Sequence, residues 1–434
     1  MKEVIYKINN RTLKIGIIGL GYVGIPLASE FLENGFKVLG FDTDEEKINS
    51  LKKGISYISH ISSDFLREHM NVNFDVSKDI SMIKNVDVII LCLPTPLDKK
   101  NNPNMEFVFG TIKSISPFLV KNQTIILEST TYPGTTSEEI YPMIRKLGFN
   151  VGKDFFLVYS PEREDPGNKD FKTSEIPKIV SGHTSNCLKV GTSIYEKIVN
   201  EVVEVSSTQT AELTKLLENI HRAVNIGLVN EMKIISAGLG IDIYEVIDAA
   251  STKPFGFTPY YPGPGIGGHC IPIDPFYLTW KAKQKGIETQ FIELAGFINN
   301  QMPLRVVEEA LNLLKKNNLN QNKSKILILG LAYKKDVDDM RESPSIRIME
   351  ELERFVLKVD YSDPFIPNMP KTRKYKRPKQ SIEVIKDNLR EYDLVIIATD
   401  HSEFNYSLIK ESSSMILDTR GVYRSIDANN IFRA

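Results

Sequence analysis

The stretch Lys14-Ile-Gly-Ile-Ile-Gly19-Leu-Gly21-Tyr-Val-Gly24-Ile-Pro-Leu-Ala28 decides the fold. A short apolar run, Lys14 to Ile18, ends at glycines spaced G-x-G-x-x-G and passes directly into a helix start. Strand, glycine turn and helix in that order open a dinucleotide-binding unit, because glycines let backbone amides and a helix N-terminus approach a pyrophosphate. A second apolar run, Lys37 to Phe41, ends in Asp42, placed to accept hydrogen bonds from a ribose diol and to repel a 2′-phosphate. The pattern predicts NAD rather than NADP.

Further strands are expected at Val86 to Leu93 and Thr124 to Leu127, separated by helix-length segments, the alternation that builds a parallel sheet. The plan returns near the C-terminus, where Lys325 to Gly330, Lys358 to Asp363 and Asp393 to Ala398 resemble Lys14 to Gly19, Lys37 to Asp42 and Asp87 to Cys92. There the glycine triplet reads Gly330-Leu331-Ala332, and Ala332 would hinder approach to a pyrophosphate, so the two sheets should hold different ligands. Between them, Leu213, Leu217, Ile220, Val224 and Met232 mark one face of a helix over Ala211 to Ala237, long enough at ~1.5 Å per residue to connect two domains. A linking helix is expected over Pro303 to Asn318. The fold class predicted is α/β: two Rossmann-like parallel-sheet domains joined by a long central helix and a helical middle domain. The domain boundaries fall at 1–205, 206–318 and 319–434.

Composition fits an ordinary soluble globular chain of 434 residues, with 41% hydrophobic and 25% charged residues. A net charge of -1 argues against a nucleic-acid partner. No apolar run approaches the ~18 residues of a membrane span, and Met1 to Lys14 lacks the apolar core of a secretory signal, so a cytoplasmic protein without membrane contact is expected. The cysteines Cys92, Cys187 and Cys270 contain no C-x-x-C pair, and the histidines show no ligand spacing; neither disulfides nor a metal is expected.

Candidate chemistry concentrates in a few places. Pro262 to Pro275 holds eight Gly or Pro in fourteen residues, a stiff, sterically open loop in which glycines leave room for a substrate beside Cys270 and Asp274. Cys92 and Cys187 read instead as small buried hydrophobes. Lys215, Asn219 and Arg222 share one face of the long helix; a solvated polar face is the ordinary reading, oxyanion stabilisation the functional one. Glu162 sits in a Pro-bounded turn, either solvated or a general base. His269 is assigned to hydrogen bonding within its loop, and the basic stretch Lys371 to Lys379 to a solvated loop.

These pieces together resemble the UDP-glucose/GDP-mannose dehydrogenase family from about Lys14 onward. The carriers are Gly19 to Gly24, Glu128-Ser-Thr-Thr-Tyr-Pro-Gly134, Ser160-Pro-Glu162, Lys215-x-x-x-Asn219, Gly267-Gly-His-Cys270-x-x-x-Asp274 and Lys334-Lys-Asp-x-x-Asp-x-Arg341. Lys215 to Asn225 and Lys253 to Gly263 look most like the branch acting on UDP-N-acetylglucosamine, with the UDP-N-acetylmannosamine branch as competitor. Pro254 and His269 stand where UDP-glucose enzymes have an arginine and a serine. The resemblance implies a four-electron oxidation of a UDP-sugar by NAD in a homodimer or larger homo-oligomer. Cys270 is implied as nucleophile, Lys215 and Asn219 as oxyanion stabilisers, Asp274 as holding the lysine or a water, and Glu162 with Thr130 as positioning the hydrolytic water. Gly19, Gly21, Tyr22, Val23, Gly24, Asp42, Thr95, Thr130 and Arg341 would contact the cofactor. Glu162, Lys215, Asn219, Arg222, Gly267 and Lys334 would contact the UDP-sugar, with Phe255, Phe257, Tyr260 and Tyr261 edging its pocket. A two-electron hydroxyacid dehydrogenase and a non-enzymatic NAD sensor compete; the first leaves Cys270 and the second sheet idle.

Overall fold

The computed structural model describes residues 1–58, 61–98, 100–164, 172–268, 271–369 and 378–433. The chain divides into two bodies, Met1–Glu218 with Phe276–Ile287 and Asn219–Pro275 with Glu288–Ala434.

In the first body β1 (Lys14–Ile18), β2 (Lys37–Phe41), β3 (Phe74–Ser77), β4 (Val88–Leu91), β5 (Thr124–Leu127), β6 (Phe156–Tyr159), β7 (Lys178–Gly182) and β8 (Val202–Glu204) form one sheet. Its order is β3-β2-β1-β4-β5-β6-β7-β8. All neighbours are parallel except β6 and β7. Strands covered on both faces carry continuous rather than alternating apolar runs, and β4, β5 and β6 are buried at every position. Strand order reverses between β1 and β4, the switch point where a crevice opens beyond the strand ends. A helix the sequence reading did not assign, α1 (Lys2–Asn9), buries Val4 and Ile8 in this core and pairs Lys7 with Asp87 at 2.8 Å.

In the second body β9 (Lys325–Leu329), β10 (Lys358–Ser362), β11 (Leu394–Ile397), β12 (Ile416–Asp418) and β13 (Ile431–Arg433) form an all-parallel sheet ordered β10-β9-β11-β12-β13. The repeat extends to backbone detail. Gly19 and Gly330 both end the strand at the switch point with positive φ, 97° and 88°. A Cβ at Gly19 would lie 2.3 Å from the Cys92 carbonyl oxygen, and one at Gly330 2.4 Å from Thr399 Cβ, so only glycine turns there. The chain is thus α/β with two Rossmann-like sheets and a long helix between them in sequence.

Two expectations about helices are corrected. After α2 (Gly24–Glu33) and the long α3 (Thr208–Leu239), the helices α4 (Asp274–Gln284) and α5 (Gln290–Lys316) follow, and α5 runs through Pro303 instead of beginning there. A proline inside a helix forfeits one backbone bond. Compensation comes from packing: Asn299 donates to the Ala223 carbonyl and accepts from Asn230, both at 2.9 Å, and Gly227 lets α3 approach α5 so closely that a Cβ would lie 3.2 Å from Ala295 Cα. The solvated-face reading of α3 is also overturned. Lys215 is 7% exposed and Asn219 0%, whereas Leu217 is 63% exposed. No helix among the described residues is long and apolar enough to cross a membrane.

Candidate active site

The three fingerprint glycines serve three different needs. Gly19 makes the turn; Gly24 packs helix on strand, since a Cβ there would lie 1.9 Å from the Gly19 oxygen; and Gly21 faces open space, with nothing within 4 Å of a Cβ. That opening, at the start of α2, is the cradle a pyrophosphate needs. Tyr22 and Val23, both half-buried, complete the turn. Asp42 is already oriented: its two oxygens accept the amides of Leu20 and Asp44, each at 2.9 Å, and Lys47 stands 3.6 Å away. These residues fit NAD. Thr95 is buried, and its carbonyl accepts the Tyr277 hydroxyl at 2.9 Å.

The second sheet uses its counterpart acid differently. Asp363 is fully enclosed, and one of its oxygens accepts the amides of Leu331 and Ala332 at 2.7 and 2.9 Å and faces His401 Nε2 at 3.0 Å. The His401 Nδ1 accepts the Asp336 amide, so Nε2 carries the proton toward Asp363. The amides that would greet a pyrophosphate are therefore committed internally.

At the ends of β5, β6 and β7 lies a buried ionic cluster that the sequence reading missed apart from Glu162. Lys178 Nζ stands 2.7 Å from Glu128 Oε2 and 3.2 Å from Glu162 Oε2. Tyr195 donates its hydroxyl to the other oxygen of Glu128. The other oxygen of Glu162 accepts the amides of Arg163 and Glu164 at 2.7 and 2.6 Å. Burial pushes both glutamates up; Glu128 rises to about 7, but in Glu162 the Lys178 charge, the Glu164 amide and the Lys215 charge outweigh it and hold the carboxyl below its usual range. Burial would lower Lys178, yet its two carboxylates keep it firmly cationic.

Lys215, on α3, makes no hydrogen bond or ion pair among the described residues, although it is nearly enclosed. One turn earlier Glu212 clamps the helix to the loop after Thr130, accepting the amides of Gly134 and Thr136 at 2.6 and 2.8 Å. Thr130 itself is half-buried; its neighbour Thr131 is internal, bonded to Thr135.

In the second body Asn219, Asp274 and Arg222 form a chain. Asn219 donates from Nδ2 to Asp274 at 2.5 Å and accepts from Arg222 at 2.5 Å, which fixes the amide's orientation and leaves its second N–H unused by these partners. The loop leading to Cys270 is pinned at both ends, the Gly263 amide to Asn230 at 3.0 Å and the Gly268 amide to the Arg341 carbonyl at 2.9 Å. Its glycines were expected to leave room for substrate; the structure fills that room with protein. A Cβ would lie 2.7 Å from Arg420 at Gly263, 3.1 Å from Pro303 and Pro344 at Gly265, and 2.5 and 2.9 Å from Tyr333 at Gly267 and Gly268. His269, Cys270 and residues 371–377 of the basic stretch lie outside the described residues.

The remaining candidates are dispersed. Arg341 forks onto Asp339, at 3.0 Å from Nε and 2.7 Å from Nη2, and Lys334 is half-buried. Phe255 is 72% exposed and Phe257 is exposed as well. Tyr260 bonds His221 at 3.1 Å, Tyr261 bonds Asp248 at 2.6 Å, and the four aromatics share no common partner. Cys187 is buried as expected; Cys92 packs against the same core, and burial together with Glu128 and Glu162 pushes its thiol well up, so it stays protonated. No group of three metal-ligating side chains occurs among the described residues.

Residues 13–199 match the NAD binding domain of the UDP-glucose/GDP-mannose dehydrogenase family, 209–301 its central domain and 327–425 its UDP binding domain. The chain is 34% identical over 396 residues to a UDP-N-acetyl-D-glucosamine 6-dehydrogenase of Pseudomonas aeruginosa, covering 91% of this chain and 92% of that one. It is 30% identical over 428 residues to a UDP-N-acetyl-D-mannosamine dehydrogenase of Pyrococcus horikoshii, covering 97% and 98%. A solved structure of the UDP-D-ManNAc dehydrogenase from Pyrococcus horikoshii superposes with a TM-score of 0.86 at 29% identity, over 97% of this chain and 98% of that one. The chain belongs to the UDP-glucose/GDP-mannose dehydrogenase family. It is an NAD-dependent UDP-sugar dehydrogenase, with NAD as cofactor.

Proposed function

We propose that the enzyme oxidises the 6-hydroxymethyl group of a UDP-N-acetylhexosamine, UDP-N-acetylglucosamine first among them, to the uronic acid, supplying surface-polysaccharide precursors in the cytoplasm. The observation that carries this reading is the buried Lys215–Asn219 face of α3, where an ammonium and an oriented amide N–H sit on one side of one helix. Bound NAD supplies the hydride acceptor for both oxidations. The Cys270 thiolate attacks the intermediate aldehyde; sulfur bonds to carbon, and the resulting tetrahedral thiohemiacetal presents a hydride that the planar aldehyde holds unfavourably. Lys215 and Asn219 stabilise the negative oxygen. Loss of that hydride leaves a thioester, which water held by Glu162 and Thr130 attacks; the carbon–sulfur bond breaks, giving carboxylate, Cys270 thiolate and two protons. Asp274 acts by orienting Asn219, and Arg341 is assigned to the cofactor by the family resemblance. The same resemblance assigns Arg222, Lys334, Phe255, Tyr260 and Tyr261 to the UDP-sugar, with Gly267 contributing through its backbone because Tyr333 occupies the space of a side chain, within a three-domain chain divided at 205 and 318.

Two NADH per UDP-N-acetylglucosamine consumed is the expected stoichiometry, read by absorbance against uronate yield. One NADH would favour a two-electron hydroxyacid dehydrogenase, and none an NAD sensor. Faster turnover of UDP-N-acetylmannosamine would move the assignment to that sugar.

The working unit is a homodimer or larger assembly. Supporting this, the second body exposes Leu228, Ile235 and Leu239 on α3, at 54, 47 and 68%, and Phe291, Leu294 and Phe297 on α5, at 80, 55 and 63%. Apolar surface of that extent ordinarily meets a partner. Replacing Leu228 and Ile235 with Glu is expected to give a monomer by light scattering; an unchanged mass would reject this surface.

A further inference from the structure

We propose that Lys178 is a positioning residue for thioester hydrolysis, holding Glu162 as a carboxylate with one acceptor site left for the attacking water. The inference rests on the proposed water-positioning role of Glu162 and deepens it.

The pairing of β6 with β7 is the antiparallel junction in an otherwise parallel sheet, with Val158 opposite Gly182 and Tyr159 opposite Ser181. Carried onward, that register sets Glu162 opposite Lys178. A parallel β7 would have placed a different residue there. The bonds then count out. A carboxylate has about four acceptor sites; on Glu162, Oε1 takes the amides of Arg163 and Glu164, and Oε2 takes Lys178, leaving one site on Oε2. Glu128 takes only Lys178 on one oxygen and Tyr195 on the other, but its side chain is fully enclosed, so its unused acceptor sites are closed to an attacking water. One buried lysine thus serves two carboxylates, of which only Glu162, its side chain 15% exposed against 0% for Glu128, keeps any accessible surface.

The groups facing Glu162 set the sign of the pH effect. Lys178 and Lys215 favour its ionised form, while Glu128 and Glu164 oppose it, as does burial. With Lys178 present, Glu162 remains ionised throughout the neutral range. Without it, burial and the neighbouring carboxylates raise Glu162, protonation sets in as pH falls, and hydrolysis slows by about tenfold per pH unit below the new midpoint.

The test measures uronate formation between pH 6 and 9 with saturating UDP-N-acetylglucosamine and NAD, together with the mass of acid-quenched enzyme. Lys178→Met is expected to show an acid limb absent from the wild type, an unchanged KM, and a sugar-nucleotide adduct accumulating on Cys270 at low pH. Lys178→Arg should restore the flat profile. Since Lys178→Met leaves two buried carboxylates uncompensated, the double variant Lys178→Met/Glu128→Gln removes one of them and should show the same limb in a more stable fold. Superimposable profiles with no adduct in both variants would overturn the proposal. Glu162→Gln separates the two levels: if it hydrolyses at the wild-type rate, the reading of Glu162 itself fails, and if it is slow while the Lys178 variants behave as wild type, only the inference about Lys178 falls.

Discussion

A Cys270→Ser variant is expected to bind UDP-N-acetylglucosamine within about twofold of the wild type while forming uronate at least ~1,000-fold more slowly. A serine hydroxyl has essentially no anionic form at neutral pH, so the aldehyde stage has no comparable nucleophile. Binding should survive because the approach to position 270 is held by backbone bonds that the substitution leaves alone, the Gly263 amide on Asn230 and the Gly268 amide on the Arg341 carbonyl. Calorimetry reads the first expectation and chromatographic uronate yield the second. A normal yield would refute the nucleophile assignment.

The second large effect is expected at Asn219. In Asn219→Ala, kcat should fall by roughly 100- to 1,000-fold with little movement in KM, the size typical of deleting one preorganised oxyanion donor. The amide is held from both sides by Asp274 and Arg222, so its remaining N–H is directed before any substrate arrives. Truncation leaves those two neighbours with opposite charges facing a small gap, where they can pair, so thermal stability should drop little. A variant retaining more than about a tenth of wild-type kcat would remove Asn219 from the chemistry.

Much of this was legible because local pattern and tertiary demand agree. Lys14 to Ile18, Lys37 to Phe41 and Lys325 to Leu329 are strands as read, since runs covered on both faces need no alternation to be recognised. Legibility failed where a local rule was overridden from a distance. Pro303 looked like a helix start, but Asn299, Asn230 and Gly227 bind α5 to α3 firmly enough to carry the helix through it. The faces of α3 were misjudged because helical spacing identifies a stripe without saying which side the core lies on; here Lys215 and Asn219 are inside. Lys178 carried no motif at all, as its partners Glu128 and Glu162 lie 50 and 16 positions away. The one available signal was a lysine opening an apolar strand, Lys178-Ile-Val-Ser-Gly182, which becomes informative only once the antiparallel partner of that strand is known.

For anyone wishing to redirect this enzyme toward another sugar, the packing of the 263–268 loop settles where diversity belongs. Gly267 and Gly268 are bordered by Tyr333 at 2.5 and 2.9 Å from an added Cβ, and Gly265 and Gly268 have positive φ, so side chains introduced at those positions are expected to strain or displace the loop. The Thr252 to Tyr261 segment, whose side chains are mostly exposed, tolerates randomisation at far lower cost and is the place to begin a selection.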